Sequence, residues 1–150
     1  MKKNSLLIMA CLFLSTALLA QMNEPVRWTF STKKISDRTF EIHFTANIEE
    51  PWHIYAQDMN EDIGFPTSFN FNQNPLVELV PNKPEAKTRA TEKVIGGVEL
   101  RYYKDQVEFV QTVRVKGDAK INVSGKIDYM ACTDSHCLPP SARRFSLSLE

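Results

Sequence analysis

Between Phe40 and Ile48 every second residue is apolar: Phe40, Ile42, Phe44, Ala46 and Ile48 alternate with Glu41, His43, Thr45 and Asn47. Successive side chains of a strand point to opposite faces, so a period of two predicts a strand with one buried face. The same period runs through Val26, Trp28 and Phe30; Phe69 and Phe71; Val98, Leu100 and Tyr102; Val107, Phe109, Gln111, Val113 and Val115; Ile121, Val123, Gly125, Ile127 and Tyr129; and Phe145, Leu147 and Leu149. No window carries a helical period. Turn formers separate the runs, at Ser36-Asp37, Glu50-Pro51, Asn72 to Pro75, Pro81 to Pro84, Lys104-Asp105, Gly117-Asp118 and Leu138-Pro139-Pro140. Seven to nine short strands in about 125 residues predict an all-β fold, an immunoglobulin-like antiparallel β-sandwich, with a closed barrel as the alternative. The stretch from Pro81 through Gly97 has few apolar residues before Val94-Ile95 and is expected to be a surface loop, with Gly96-Gly97 bending the chain back into a strand.

The first twenty residues break this pattern. Lys2 and Lys3 precede an apolar run of 15 residues from Leu6 to Ala20, and the chain turns polar at Gln21. The run is short of the roughly 20 residues a spanning helix needs, so it reads as a signal peptide, residues 1–20, cut after Ala20, and no stable membrane insertion is expected. Cys11 lies inside the run, where too little apolar sequence precedes it for a lipoprotein processing site. Residues 21–150 then form one domain, long enough for a real core and too short for two.

Charge narrows the partners. The chain has 18 basic and 18 acidic side chains; removing residues 1–20 takes away Lys2 and Lys3 and no acid, which leaves 16 against 18, a net of −2. Such balance makes no electrostatic case for nucleic acid or anionic lipid. A monomer is expected.

Export puts the cysteines in an oxidising compartment, where a disulfide can persist. "MACTDSHCLPP", Met130 to Pro140, holds Cys132 and Cys137 with four residues between them. Pro139 and Pro140 supply no ladder hydrogens, so the following strand starts after them and the pair sits on a connection. As a staple the pair is poor: closing so short a loop is worth roughly 2 kcal/mol, against nearly 5 for a loop of about 100 residues. It could still pin a turn. A redox role needs thiol acidity and access, for which His136 beside Cys137 is favourable and Asp134 unfavourable. The spacing is not C-x-x-C and no βαβ pattern surrounds it, so the chain is not itself a thioredoxin fold. A metal set of Cys132, Asp134, His136 and Cys137 would strain the adjacent His136 and Cys137 and lacks a second cluster, so no metal is expected.

Taken together, the all-β pattern, the export signal and "CTDSHCLPP" resemble the N-terminal periplasmic domain of the thiol:disulfide interchange protein DsbD, the disulfide bond corrector family. The resemblance runs from about Val26 to Leu149 and includes "PWHIYAQD" and "PTSFNF". It implies a periplasmic protein thiol–disulfide oxidoreductase that carries electrons through its cysteine pair to or from thioredoxin-like partners, with no cofactor. In that family the later cysteine engages the partner, which here is Cys137, and Cys132 resolves the mixed disulfide. The family's cap loop matches the stretch from Glu92 to Gly97, with Val94 or Ile95 in place of the usual aromatic residue. Its aromatic pair facing the cysteines matches His53 and Tyr55, His53 standing where tyrosine is usual, while Trp52 and Trp28 are expected to face the core. The family is best known as one part of a longer protein with a membrane-spanning conduit, so the electron donor is expected to be a separate membrane polypeptide. The rival from another class is a non-enzymatic immunoglobulin-like binding module whose disulfide only pins a turn.

Overall fold

Alternation is obeyed most strictly where a strand is covered on one face by a second sheet. A computed structural model describes residues 24–117 and 120–150. The signal segment, Cys11 and Asp118 lie outside the described residues. The strands are β1 (Val26–Ser36), β2 (Thr39–Ile48), β3 (His53–Tyr55), β4 (Ser68–Phe71), β5 (Val77–Ala86), β6 (Thr91–Ile95), β7 (Val98–Tyr103), β8 (Gln106–Val115), β9 (Ile121–Tyr129), β10 (Ala131–Cys132) and β11 (Ser141–Leu149). They form three antiparallel sheets of order β1-β2-β8-β5, β11-β9-β4 and β10-β3-β7-β6, an all-β, immunoglobulin-like architecture. Among the described residues no helix is long and apolar enough to cross a membrane.

The first two sheets enclose the core. Phe40, Ile42, Phe44, Ala46 and Ile48 of β2 and Val107, Phe109, Val113 and Val115 of β8 point inward to meet Ile121, Val123, Ile127 and Tyr129 of β9 and Phe145 and Leu149 of β11. Aromatic rings fill the centre: Phe44 lies 4.9 Å from Phe145 and 5.1 Å from Phe69, and Trp28 stacks on Phe109 at 6.1 Å. Edge-to-face and offset ring pairs of this kind add to the burial energy. Gly125 is required here, because a Cβ at that position would stand 2.3 Å from the Asn70 carbonyl oxygen and 2.7 Å from Phe145.

Two sequence expectations change. Among the described residues there are eleven strands rather than seven to nine, and the stretch from Pro81 to Gly97 is largely strand, occupied by the end of β5 and by β6. Both are edge strands, paired on one side only, which is where prolines and unpatterned polar residues are tolerated. Pro81 and Pro84 fall in the break between Val80 and Glu85 where β5 leaves its register with β8. Fully buried Gln111 of β8 repairs that break: its Nε2 donates to the Pro81 carbonyl at 2.6 Å and to the Thr112 carbonyl at 2.8 Å. Only the donor side of the amide is satisfied in this way, since its Oε1 is buried without a hydrogen-bond partner.

The small sheet lies at one end of the sandwich. β2 runs into β3, β7 into β8, and β9 into β10, and all three junctions are at the end where Asn47 meets Gln106 and Tyr129 meets Ser141. Pairing in β10 with β3 brings residues 131 and 132 beside residues 54 and 53. The cysteines therefore stand at a pole of the molecule, outside the core.

Candidate functional site

Cys132 ends β10, the continuation of β9, and the chain then turns back through Thr133, Asp134, Ser135 and His136 to Cys137. Backbone bonds close this turn on both sides of the sulfurs: Thr133 N–H donates to the His136 carbonyl at 2.8 Å, and Leu138 N–H to the Ala131 carbonyl at 2.9 Å. Thr133 Oγ1 also accepts from the backbone N–H groups of Ser135 and His136, as threonine does at tight turns. Cys132 and Cys137 are joined by a disulfide across an isolated bridge, with their Cα atoms 4.0 Å apart. Pro139-Pro140 interrupts pairing before β11 begins at Ser141.

The two sulfurs have unlike surroundings. Cys132 is 1% exposed although β10 is an edge strand paired only with β3, whereas Cys137, on the returning arm of the turn, is exposed. Residues directly opposite on antiparallel strands share a face, so Cys132 and His53 lie on one face of the small sheet. Ile54, Ala131 and Tyr103 take the other face and enter the core, Tyr103 meeting Phe109 at 5.5 Å.

His53 and Tyr55 share the Cys132 face, as their spacing on a strand requires, with ring centroids 5.6 Å apart. Tyr102, opposite Tyr55, lies 4.7 Å from His53. His53 is buried and its Nδ1 has no hydrogen-bond partner. Burial pushes its pKa below the ordinary imidazole value of 6.5, and nearby Lys104 and Lys93 push the same way while Asp134 opposes them. Tyr55 is half-buried, and burial raises its phenol. Gly64 packs against that ring, a Cβ there being 3.2 Å from it.

His136 is exposed; its Nδ1 lies 3.0 Å from Thr133 Oγ1 and its ring meets Trp52 edge-on at 5.2 Å. Trp52 is thus half-buried, packed between the core and the cysteine turn rather than within the core. Glu92, Val94 and Ile95 all lie on β6, whose hairpin with β7 turns at Gly96 and Gly97, both at positive φ as a two-residue hairpin turn demands. Glu92 is exposed, with Oε1 3.7 Å from Arg101 Nε. Val94 is 70% exposed and Ile95 52%, and both stand in solvent near the hairpin tip. Ile95 shares the sheet face of Lys93, Tyr102 and Cys132; Val94 is on the other. Lys93 links this hairpin to the cysteine turn, its Nζ 4.0 Å from Asp134 Oδ1.

Sequence patterning missed Lys93, Lys104 and Tyr102 as neighbours of the site. The Tyr102-Tyr103 pair held the signal, since adjacent aromatics on a strand serve opposite faces and only one of them can enter the core.

The family model described as thiol:disulfide interchange protein DsbD, N-terminal, matches residues 20–149. Among solved structures, the chain is similar to the N-terminal periplasmic domain of ScsB from Proteus mirabilis, with a TM-score of 0.58 and 19% identity over 88% of this chain and 49% of that one, so it spans about half that length. It is similar to the Neisseria meningitidis DsbD N-terminal domain in the reduced form, with a TM-score of 0.52 and 14% identity over 89% and 92% of the two chains. A third likeness is to the complex between the DsbD N-terminal and PilB N-terminal domains of Neisseria meningitidis, with a TM-score of 0.51 and 13% identity over 86% and 87%. At such identities the solved structures establish the shared fold. No curated protein matches the chain by sequence.

Proposed function

Because this chain belongs to the family of DsbD N-terminal domains, we propose that it is a periplasmic thiol–disulfide carrier whose Cys132–Cys137 pair exchanges an electron pair with thioredoxin-like proteins. The observation that carries this reading is the unequal burial of the two sulfurs, Cys132 enclosed and Cys137 exposed. Only an accessible sulfur can meet a partner's disulfide, and only a sheltered one held beside it can close the reaction without competing for the partner.

In the reduced carrier the Cys137 thiolate attacks one sulfur of the partner's disulfide. The partner's S–S bond breaks, its other sulfur leaves as a thiolate, and a mixed disulfide forms on Cys137. Cys132 then attacks the Cys137 sulfur, re-forms the internal disulfide and releases the partner's second thiolate. The partner gains two electrons and two protons, and the carrier is oxidised. His53, Tyr55, Ile95 and His136 are proposed as wall and cap residues around this chemistry, Glu92 and Val94, on the far face of β6, only as part of the hairpin that carries the cap, and a membrane-embedded donor as the source of the electrons. The name of the Neisseria meningitidis complex supports the type of partner, since there a DsbD N-terminal domain is bound to a PilB N-terminal domain. The turn is already closed by two backbone hydrogen bonds, so a disulfide used only to pin it adds little.

The test is exchange with an oxidised thioredoxin. Cys137→Ser should abolish reduction of the partner, whereas Cys132→Ser should accumulate a mixed disulfide visible without reductant. Equilibration of the wild type with glutathione should give a potential between about −200 and −270 mV, within reach of thioredoxin-like proteins. Unchanged transfer by the Cys137→Ser protein, or a potential below about −300 mV, would overturn the assignment in favour of a structural disulfide.

A further inference from the structure

A thiol that must attack from a buried position has to lose its proton there, and solvent is a poor acceptor for a sulfur that is 1% exposed. We propose that His53 is the base that takes the proton of Cys132, so that this chain carries its own proton acceptor for closing the internal disulfide. The inference rests on the carrier reading above and assigns His53 a role beyond lining the site.

Three observations lead to it. His53 is the ladder partner of Cys132, and side chains directly opposite on antiparallel strands have Cβ atoms roughly 4.5–5.5 Å apart on one face, within reach of an imidazole nitrogen and a thiol. His53 Nδ1 is buried and has no hydrogen-bond partner while the cysteines are joined. A buried nitrogen left unpaired is costly, and a thiol appearing opposite it on reduction supplies the missing donor. Third, the surroundings keep the ring neutral and so vacant for a proton, while making it a weaker base than an exposed imidazole. Tyr55 of β3 and Tyr102 of β7 pack against it. Lys104 beyond β7 and Lys93 of β6 disfavour its charged form, and Asp134 of the cysteine turn favours it. Burial and the two lysines outweigh the carboxylate, so His53 titrates below the usual imidazole range.

The step balances without further reactants. His53 takes the proton from Cys132, the resulting thiolate attacks the Cys137 sulfur, the mixed disulfide breaks, and the departing partner thiolate takes a proton from solvent. His53 returns its own proton to solvent or, in the reverse direction, to Cys132. Two electrons pass to the partner and none to the imidazole.

Closure can be followed without a protein partner. The reduced chain is mixed with an aromatic disulfide whose released thiolate is coloured: a first release reports attack by Cys137, and a second reports closure by Cys132. In the wild type the second release should rise with pH through an inflection below the usual imidazole value and then level off. In His53→Asn and His53→Tyr that inflection should vanish, the second release following only ionisation of the thiol itself and slowing roughly a hundredfold at neutral pH, far more than any slowing of the first release. An unaltered second-phase profile in either variant would overturn the proposal. So would equal slowing of both releases, which would make His53 a packing residue. Failure of the wild type to reduce thioredoxin while closing normally would refute the carrier reading and leave the His53–Cys132 relationship standing.

Discussion

Lys93 Nζ lies 4.0 Å from Asp134 Oδ1, so the edge strand of the small sheet is tied to the turn between the two cysteines. The partners' side chains are 47% and 79% exposed, and pairs so open to water contribute at most about 1 kcal/mol. Lys93→Ala should therefore speed reduction of the disulfide by a small dithiol at low salt, by no more than roughly fivefold. In about 1 M salt, where the screening length is about 3 Å, wild type and variant should coincide. The rate at which free thiols appear measures both.

The pH dependence of stability should carry the signature of His53. Its pKa is lower in the folded chain than the 6.5 of an exposed imidazole, so between those two values the unfolded state binds more protons. Its contribution is complete above pH 6.5 and is lost as pH falls through that value and through the lower folded one. Denaturant unfolding across this range should show the stability of the wild type falling relative to His53→Asn as the solution is acidified, and the difference levelling off above pH 6.5.

Of the five glycines, Gly125 has the least room for an added methyl group. Gly125→Ala must relieve contacts with both the Asn70 carbonyl and the Phe145 ring, each closer than a Cβ can stand. Overpacking of this kind costs about 1–3 kcal/mol. The midpoint of denaturant unfolding should fall accordingly, at an unchanged slope.

Trp52 should report the redox state. It touches His136, the neighbour of Cys137, whereas Trp28 is stacked on Phe109 in the core. Reduction should change the tryptophan emission, and Trp52→Phe should remove that change while leaving the emission of Trp28.

Strands β2, β8 and β9 were legible in the sequence because each has one face in the core and one in water, which imposes the alternation directly. β3 and β10 were not, since three and two residues are too few to display a period. The end of β5 from Pro81 and the whole of β6 read as loop in the sequence because an edge strand tolerates proline and polar residues on both faces, as in Pro81, Pro84 and the wholly exposed Thr91–Ile95. Of the site, the spacing of the cysteines and the prolines after them placed the pair on a connection. The enclosure of Cys132 comes from a pairing between residues 132 and 53, far apart in the chain, and local pattern does not encode it. The same pairing buries His53, which as a polar residue in a short segment gives no sign of enclosure.

The backbone bonds that bracket the cysteine turn set how much must move when it changes state. Thr133 to His136 and Leu138 to Ala131 hold the loop by its peptide groups, so breaking the S–S bond leaves that frame intact. None of the hydrogen bonds that pair β10 with β3 or close the turn passes through a sulfur. In a carrier of the proposed kind such a turn has little inertia and serves as an electrical contact does, where a latch would have to be reset after each use.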